Sequence, residues 1–354
     1  MKHLLHPKFK LNGRGFSSAE ELKVFAKEML FTGEGETISI GKFILEWLDE
    51  NIIFEVYTSG STGIPKKISL QKEHAYNSAI ATIDYFEIGE GTRALLCLPA
   101  DYIAGKMMLV RGMVGGWDLF ITSPQKNPLS HFEMEFEFSA MVPYQVHHSL
   151  SELHKVKQVI VGGGAVSIAL ENEIQNLPTK MFATYGMTET ISHIAVRSLN
   201  GRKRSLIYNA IPRVQFSQTS EGCLCIDAPL ISAETVITND IVELLSKNSF
   251  RLLGRRDNVI NTGGVKVHPE IIEQKLAKNF QVPFFIASEK DEVLGQKVIL
   301  ILESTVPQTL EENSRFFDDL TRYEKPKKIY ITPEFEFTET GKIRRSEVVK
   351  KVVG

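Results

Sequence analysis

Apolar residues recur along this chain with two kinds of spacing, and each predicts a kind of element. Within residues 17–30 and 39–50 they fall at helical spacing, which predicts two amphipathic helices. Residues 72–85 and 103–114 are predicted to be helical as well. Short apolar runs ended by glycine, proline or polar residues predict buried strands at residues 94–98, 119–122, 158–161 and 181–185. Strands that alternate with helices indicate a largely parallel sheet.

The pattern changes in the second half of the chain. From Ile207 to Leu253 short strands and turns follow one another, as in a β-rich subdomain. A polar, charged segment follows at residues 254–258, and beyond it come a hairpin around Thr262-Gly263-Gly264, a helix and two strands. Because 354 residues exceed the size at which one core usually stops growing, we expect two domains.

The predicted fold is therefore α/β with two domains. Residues 1–254 form a large N-terminal domain with mostly parallel sheets flanked by helices, plus the β-rich subdomain. Residues 255–258 form a hinge, and residues 259–354 form a small mobile C-terminal α+β domain. Ligands of parallel sheets bind beyond the carboxyl ends of the strands, where the glycines after residues 161 and 185 fall.

Charge and cysteine content narrow the class of protein. A net charge of −2 gives no electrostatic reason to expect nucleic acid as a partner. Three cysteines make no disulfide framework, and Cys223 and Cys225 alternate in a predicted strand, so we expect core packing and not a zinc site. The apolar region 94–120 is interrupted by charged residues, and the start lacks a signal peptide, so we expect a cytoplasmic protein without a membrane span.

The most informative segment is a polar loop between two short strands. Its glycines let backbone N–H groups approach an anion, its hydroxyls add donors, and its lysine adds a positive charge. Such a loop suits a polyphosphate, although an ordinary solvated turn has a similar composition. The segment reads Thr58-Ser59-Gly60-Ser61-Thr62-Gly63-Ile64-Pro65-Lys66.

Two further glycine turns follow predicted strands. Gly162-Gly163-Gly164 follows one strand, and Tyr185-Gly186-Met187-Thr188-Glu189 ends another. A carboxylate beside a hydroxyl at such a turn can anchor Mg²⁺ that is shared with phosphate oxygens. A helix start that only favours the helix dipole is the alternative explanation for Thr188 and Glu189.

Together these segments resemble the motifs of the acyl-adenylate-forming superfamily, in that family's order across residues 57–345. The resemblance implies that ATP phosphates are bound by Thr58, Ser59, Gly60, Ser61, Thr62, Gly63 and Lys66. It further implies that Gly162, Gly163 and Gly164 line the adenine side, that Tyr185 stacks on adenine with Gly186 beside it as a cofactor-binding residue, and that Glu189 binds magnesium beside Thr188.

Three later motifs complete the resemblance. Thr238-Asn239-Asp240 resembles the turn whose aspartate binds the ribose hydroxyls, with Asn239 where the family has glycine. Arg255 would contact ribose or phosphate, and Asp257 would be the hinge about which the small domain rotates. Lys342, in Thr-Gly-Lys-Ile-Arg, would reach the α-phosphate during adenylation, and the hairpin at Gly263-Gly264 would then admit coenzyme A.

The sequence indicates the carboxylate substrate less specifically than it indicates the nucleotide. Only 56 residues precede the phosphate loop's strand end, and short chains of this layout look like bacterial o-succinylbenzoate–CoA ligases. The segment from Leu98 to Lys106 resembles the family's acyl-pocket motif, with Tyr102 in place of its histidine. Tyr102 would form a wall, while Lys106 or Arg111 would meet a second carboxylate or extend into solvent.

The resemblance therefore implies an ATP-dependent, Mg²⁺-dependent acyl-CoA ligase with a small-molecule carboxylate and coenzyme A as substrates. Another aryl- or acyl-CoA ligase, or an enzyme that loads a carrier protein, fits the same motifs. A non-catalytic nucleotide- or acyl-binding relative is an alternative of a different class. Decay of the phosphate loop, Glu189 or Lys342 would mark such a relative, and none of these has decayed.

Overall fold

The structure is a computed structural model that describes residues 4–58, 66–280, 282–305, 315–336 and 343–354. Its helices are α1 Ala19–Thr32, α2 Glu36–Leu48, α3 Lys72–Phe86, α4 Ile103–Gly115, α5 Pro143–His148, α6 Ile168–Glu173, α7 Pro269–Leu276 and α8 Arg345–Val353. The first ten strands are β1 Lys10–Leu11, β2 Arg14–Gly15, β3 Ile53–Thr58, β4 Lys66–Gln71, β5 Arg93–Leu96, β6 Asp118–Ile121, β7 Phe136–Met141, β8 Val156–Val161, β9 Lys180–Gly186 and β10 His193–Ser198. The others are β11 Ile207–Ala210, β12 Gln215–Gln218, β13 Cys223–Asp227, β14 Val236–Ser246, β15 Ser249–Arg255, β16 Ile260–Thr262, β17 Val265–Val267, β18 Phe284–Asp291, β19 Gly295–Glu303 and β20 Lys328–Thr332.

One large sheet organises the chain up to Arg255. Its strand order is β12-β13-β14-β15-β11-β10-β9-β8-β7-β5-β6-β1-β2. The run from β1 through β6, β5, β7 and β8 to β9 is parallel, and from β9 to β12 every pairing is antiparallel. The predicted parallel part and the predicted β-rich part are thus one continuous sheet. Its strands change from parallel to antiparallel pairing at β9.

Helix α4 is buried on nearly every side. Its residues from Gly105 to Val114 are all buried, including the two cations Lys106 and Arg111. Gly105 is required there, because a Cβ atom would lie 2.2 Å from the carbonyl oxygen of Pro99. The core around α4 contains Trp47, Trp117 and much of the large sheet's apolar face. Charged groups on α4 are therefore held in a low-dielectric environment.

A second, smaller sheet begins after the predicted hinge. It contains β16 to β20, and β15 of the large sheet ends only a few residues before β16. Gly263 and Gly264, with φ values of 58° and 81°, make the turn between β16 and β17. Glu273 of α7 accepts two hydrogen bonds from Arg345 at the start of α8, which joins the two helices of this unit.

Two details of the sequence interpretation are resolved by the fold. The expected turn at Thr238-Asn239-Asp240 is wrong, since these residues lie within β14 and Asn239 has no positive φ. Asp240 pairs with Arg255 of β15 and Ile237 pairs with Cys225 of β13, so both ends of the segment are held in the sheet. Cys223 and Cys225 are buried in β13 as expected. Among the described residues, no helix is long and apolar enough to cross a membrane.

Candidate active site

Two glycine turns lie side by side at the carboxyl ends of β8 and β9. Gly162 follows β8, and a Cβ atom there would lie 2.8 Å from the Thr184 hydroxyl of β9. Gly163 has a φ of 79°, and Gly164 follows it on the exposed side of the turn. Because β8 and β9 are parallel neighbours, these backbone groups and those after Tyr185 meet at one edge. The sequence prediction of glycine turns at this edge fits this geometry.

Tyr185 connects this edge to β14. Its ring is buried against Tyr208 and Phe250, and its hydroxyl donates a 2.5 Å hydrogen bond to the Asp240 carboxylate. Burial, and after it the charge of Asp240, raises the pKa of Tyr185, so the phenol stays a neutral donor. The structure therefore brings together two predicted nucleotide-binding residues that are 55 positions apart.

Arg255 lies between two carboxylates at the end of β15. Its guanidinium is 3.9 Å from Asp240 and 3.1 Å from Asp257. The side chains of Arg255 and Asp257 are both more than half exposed, so this ion pair contributes little stability. Asn239 donates a 3.5 Å hydrogen bond to Asp257. The predicted ribose-binding and hinge residues thus form one polar cluster.

The segment after Tyr185 contains a strained turn. The amide of Ser192 donates a 2.6 Å hydrogen bond to the carbonyl of Thr190, and the central Ile191 has φ 64° and ψ −55°. This is the rare γ-turn with positive φ, and a β-branched residue at its centre is unusual. Gly186 packs beneath it, since a Cβ atom there would lie 2.2 Å from the Ser192 carbonyl oxygen. Thr188 and Glu189 precede the turn, with the Glu189 side chain exposed.

Arg111 is the most unusual charged residue near this segment. It is 2% exposed, and its Nη2 donates a 2.6 Å hydrogen bond to the Ser192 hydroxyl. Its Nε atom is buried without a hydrogen-bond partner, and within the described chain no carboxylate forms an ion pair with it. Burial lowers the pKa of Arg111 to about 9. A buried cation without an anion is a candidate receptor for an anionic ligand.

Lys106, the other predicted cation on α4, differs from Arg111. Its ammonium group is 3.2 Å from the Glu46 carboxylate and donates a 2.7 Å hydrogen bond to the Glu55 carbonyl. It also lies over the Phe43 ring, 4.8 Å from the centroid. Lys106 is therefore neutralised inside the protein. The alternative that these cations extend into solvent is wrong for both.

The structure describes only some of the other predicted site residues. Tyr102 is half-buried and directly precedes α4. Thr58 and Lys66 pair with each other at the end of β3 and the start of β4, where the predicted phosphate-binding segment joins the two strands. Ser59, Gly60, Ser61, Thr62, Gly63 and Lys342 lie outside the described residues.

Sequence reasoning missed two buried polar groups. His193 is 4% exposed and follows Ser192 at the start of β10. Glu171 of α6, after the Gly162–Gly164 turn, forms ion pairs with both Arg197 and Arg204. In the sequence, the only sign that either residue matters is that it lies close to a glycine motif. His193 otherwise fits an ordinary strand, and Glu171 fits an ordinary helix.

Comparison with known proteins decides the family. The AMP-binding enzyme family matches residues 21–215, more than half of the chain. The chain belongs to the AMP-binding enzyme family. This confirms the α/β fold and the prediction of an adenylate-forming acyl-CoA ligase.

Individual relatives of this AMP-binding enzyme range from moderate to low identity. A solved acyl-CoA synthetase (AMP-forming)/AMP-acid ligase II-like protein from Dyadobacter fermentans is 38% identical, with 93% of this chain and 98% of that one covered and a TM-score of 0.63. The 2-succinylbenzoate–CoA ligase of Escherichia coli is 24% identical over 314 residues, 84% of this chain and 68% of the relative. The Bacillus subtilis o-succinylbenzoate coenzyme A synthetase, solved with ATP and magnesium, is 20% identical over 83% of this chain and 69% of that one, with a TM-score of 0.69, and shows the fold alone.

Proposed function

We propose that this enzyme activates an acid with a second carboxylate group, with o-succinylbenzoate as the first candidate, and transfers the acyl group to coenzyme A. The observation that carries the proposal is Arg111, a buried guanidinium with no carboxylate partner among the described residues. Burying a lone charge is costly, so a site that retains one is suited to an anion. Relatives named 2-succinylbenzoate–CoA ligase support this choice of acid.

The location of Arg111 fits the second carboxylate better than the reacting one. It contacts Ser192, three residues beyond Glu189 and on the far side of the γ-turn. An acid whose reacting carboxylate faces the nucleotide near Glu189 would direct its other end towards Arg111. A guanidinium–carboxylate contact in a dry site is charge-assisted and can be bidentate, which favours a diacid over a monoacid.

The first half-reaction would join an oxygen of the substrate carboxylate to the α-phosphorus of ATP and break the bond to the β-phosphate, releasing pyrophosphate. Positioning and charge stabilisation dominate such phosphoryl chemistry. We assign the phosphates to the loop from Thr58 to Lys66 and the α-phosphate to Lys342. The Tyr185–Asp240 pair, with Arg255, would orient adenine and ribose. In the second half-reaction the thiol sulfur of coenzyme A would bond to the acyl carbon, and AMP would leave.

The site fits a Mg²⁺ ion that is held mainly by phosphate oxygens. The Glu189 carboxylate is exposed, and no hydrogen bond or ion pair from the described residues engages it. Those residues include no group of three or more potential metal-binding side chains. When bound, Mg²⁺ would neutralise phosphate charge. Glu189 would hold it beside Thr188.

Carboxylate-dependent exchange of labelled pyrophosphate into ATP tests this function. A panel of acids should give fastest exchange with o-succinylbenzoate and slow exchange with 3-benzoylpropionate, which lacks the ring carboxylate. Lys342→Ala should abolish exchange but leave acyl transfer from a preformed adenylate to coenzyme A largely intact. No exchange with any acid would refute the proposed activity, and equal exchange with both acids would refute the role of Arg111.

The acyl acceptor needs its own test. Supplying either free coenzyme A or a phosphopantetheinylated carrier protein separates a CoA ligase from an enzyme that loads carriers. We expect acyl-CoA as the product, measured by mass spectrometry. Acyl-carrier product without acyl-CoA would contradict the proposal and favour the alternative.

A further inference from the structure

Arg111 begins a largely buried series of hydrogen bonds that continues through three more polar side chains. Arg111 donates to the Ser192 hydroxyl at 2.6 Å, and that hydroxyl lies 3.4 Å from His193 Nδ1. On the other side of the ring, His193 Nε2 lies 3.3 Å from the Thr82 hydroxyl of α3. Thr82 in turn donates a 3.0 Å hydrogen bond to the carbonyl of Ser78. These hydrogen bonds link α3, α4 and β10.

The direction of every hydrogen bond in this series follows from its two ends. The guanidinium can only donate, so the Ser192 oxygen accepts from it and the Ser192 hydrogen is available for His193 Nδ1. The Ser78 carbonyl can only accept, so the Thr82 hydrogen is used there and the Thr82 oxygen accepts from His193. His193 must therefore carry its proton on Nε2 and present a bare Nδ1 to Ser192.

The imidazole has little freedom to change this arrangement. It is 4% exposed, and its ring packs edge-on against Phe86, with centroids 6.2 Å apart. Its backbone pairs with Gly186 across β9 and β10, directly after the strained turn at Ile191. Burial, and after it the charge of Arg111, lowers the pKa of His193, which keeps the ring neutral.

We propose that His193 is a positioning residue for recognition of the acid: by accepting the Ser192 hydrogen, it aims the Ser192 oxygen at Arg111 and so fixes the guanidinium for the substrate's second carboxylate. This inference rests on the proposed role of Arg111. His193 itself touches neither substrate nor nucleotide. Its loss should weaken binding of the diacid and leave adenylation chemistry unchanged.

Two near-isosteric variants separate this role from simple packing. In His193→Asn the side-chain oxygen can occupy the place of Nδ1 and still accept from Ser192. In His193→Gln the amide reaches the place of Nε2, so the contact with Thr82 is kept and the acceptor for Ser192 is lost. Pyrophosphate exchange is measured for each variant with o-succinylbenzoate and with 3-benzoylpropionate.

We expect His193→Gln to raise KM for o-succinylbenzoate about tenfold, the upper end of the range for one hydrogen bond between neutral groups, with kcat and KM for ATP unchanged. His193→Asn should stay within roughly twofold of the wild type, and neither variant should change KM for 3-benzoylpropionate. Equal losses in both variants, or equal losses with both acids, would overturn the positioning role while leaving the proposed function intact. A wild-type enzyme that exchanges no pyrophosphate with any acid would overturn the function itself, and this inference with it.

Discussion

Replacing Arg111 with methionine should make the protein more stable and less selective. Burial lowers the pKa of Arg111 from 12.5 to about 9, which corresponds to about 5 kcal/mol of lost solvation for the charged form. Loss of the hydrogen bond to Ser192 offsets roughly 1–3 kcal/mol of this. The net expectation for Arg111→Met is a free energy of unfolding higher by about 2 kcal/mol or more at pH 7. This gain is fully present below pH 9 and declines as the pH rises further.

The assay combines urea unfolding without substrate and pyrophosphate exchange with two acids. Arg111→Met should shift the unfolding midpoint to higher urea. It should also raise KM for o-succinylbenzoate by about 10–100-fold while leaving 3-benzoylpropionate unaffected, because only the diacid loses a charge-assisted contact. If Arg111 were retained for stability alone, removing it would not make the protein more stable. A more stable Arg111→Met variant would therefore indicate a role in binding.

Lys106→Met provides a matched control on the same helix. Lys106 is buried like Arg111 but is paired with Glu46, so its removal leaves a partly buried carboxylate without its partner. This variant should be less stable than the wild type, with the preference between the two acids unchanged. The reasoning fails if Arg111→Met destabilises the protein as much as Lys106→Met, or if it weakens both acids equally.

Three other expectations follow from the same geometry. Because the pKa of Arg111 is about 9, the preference in kcat/KM for o-succinylbenzoate over 3-benzoylpropionate should fall as pH rises through 9, and a preference constant to pH 10 would contradict this. In Gly186→Ala the new Cβ would lie 2.2 Å from the backbone oxygen of Ser192, so pyrophosphate exchange should drop by roughly 10²-fold; a wild-type rate would show that the turn can relax. Glu171→Ala leaves two guanidiniums without their carboxylate and should cost about 3–5 kcal/mol in urea unfolding, whereas Glu221→Ala, at an exposed pair, should leave the unfolding curve almost unchanged.

Much of the fold could be predicted from apolar patterning. The helix predicted at residues 103–114 is observed at Ile103–Gly115, and the strand predicted at 158–161 lies within Val156–Val161. These elements are buried and ended by glycine, so their pattern is strong. The wrong turn at Thr238–Asp240 had a different cause: the resemblance to a family motif implied a turn, whereas the segment lies within β14 and Asp240 pairs with Arg255 of β15.

The candidate site was predictable only where a motif is local. The glycine turns fall at strand ends because an apolar run before a glycine is visible in the sequence. The contact between Arg111 and Ser192 joins residues 81 positions apart, and no local pattern encodes it. His193 gave no signal either, since a histidine that begins an apolar strand is ordinary.

The γ-turn at Ile191 has a consequence for how this enzyme can change over evolutionary time. Glu189 precedes it and Ser192 ends it, so the turn sets the distance between the proposed magnesium-binding carboxylate and the hydroxyl that contacts Arg111. An insertion or deletion of one residue here would shift His193 off Gly186 and displace both sides at once. Altered acid preference should therefore arise by exchanging side chains around this segment, with its length kept constant.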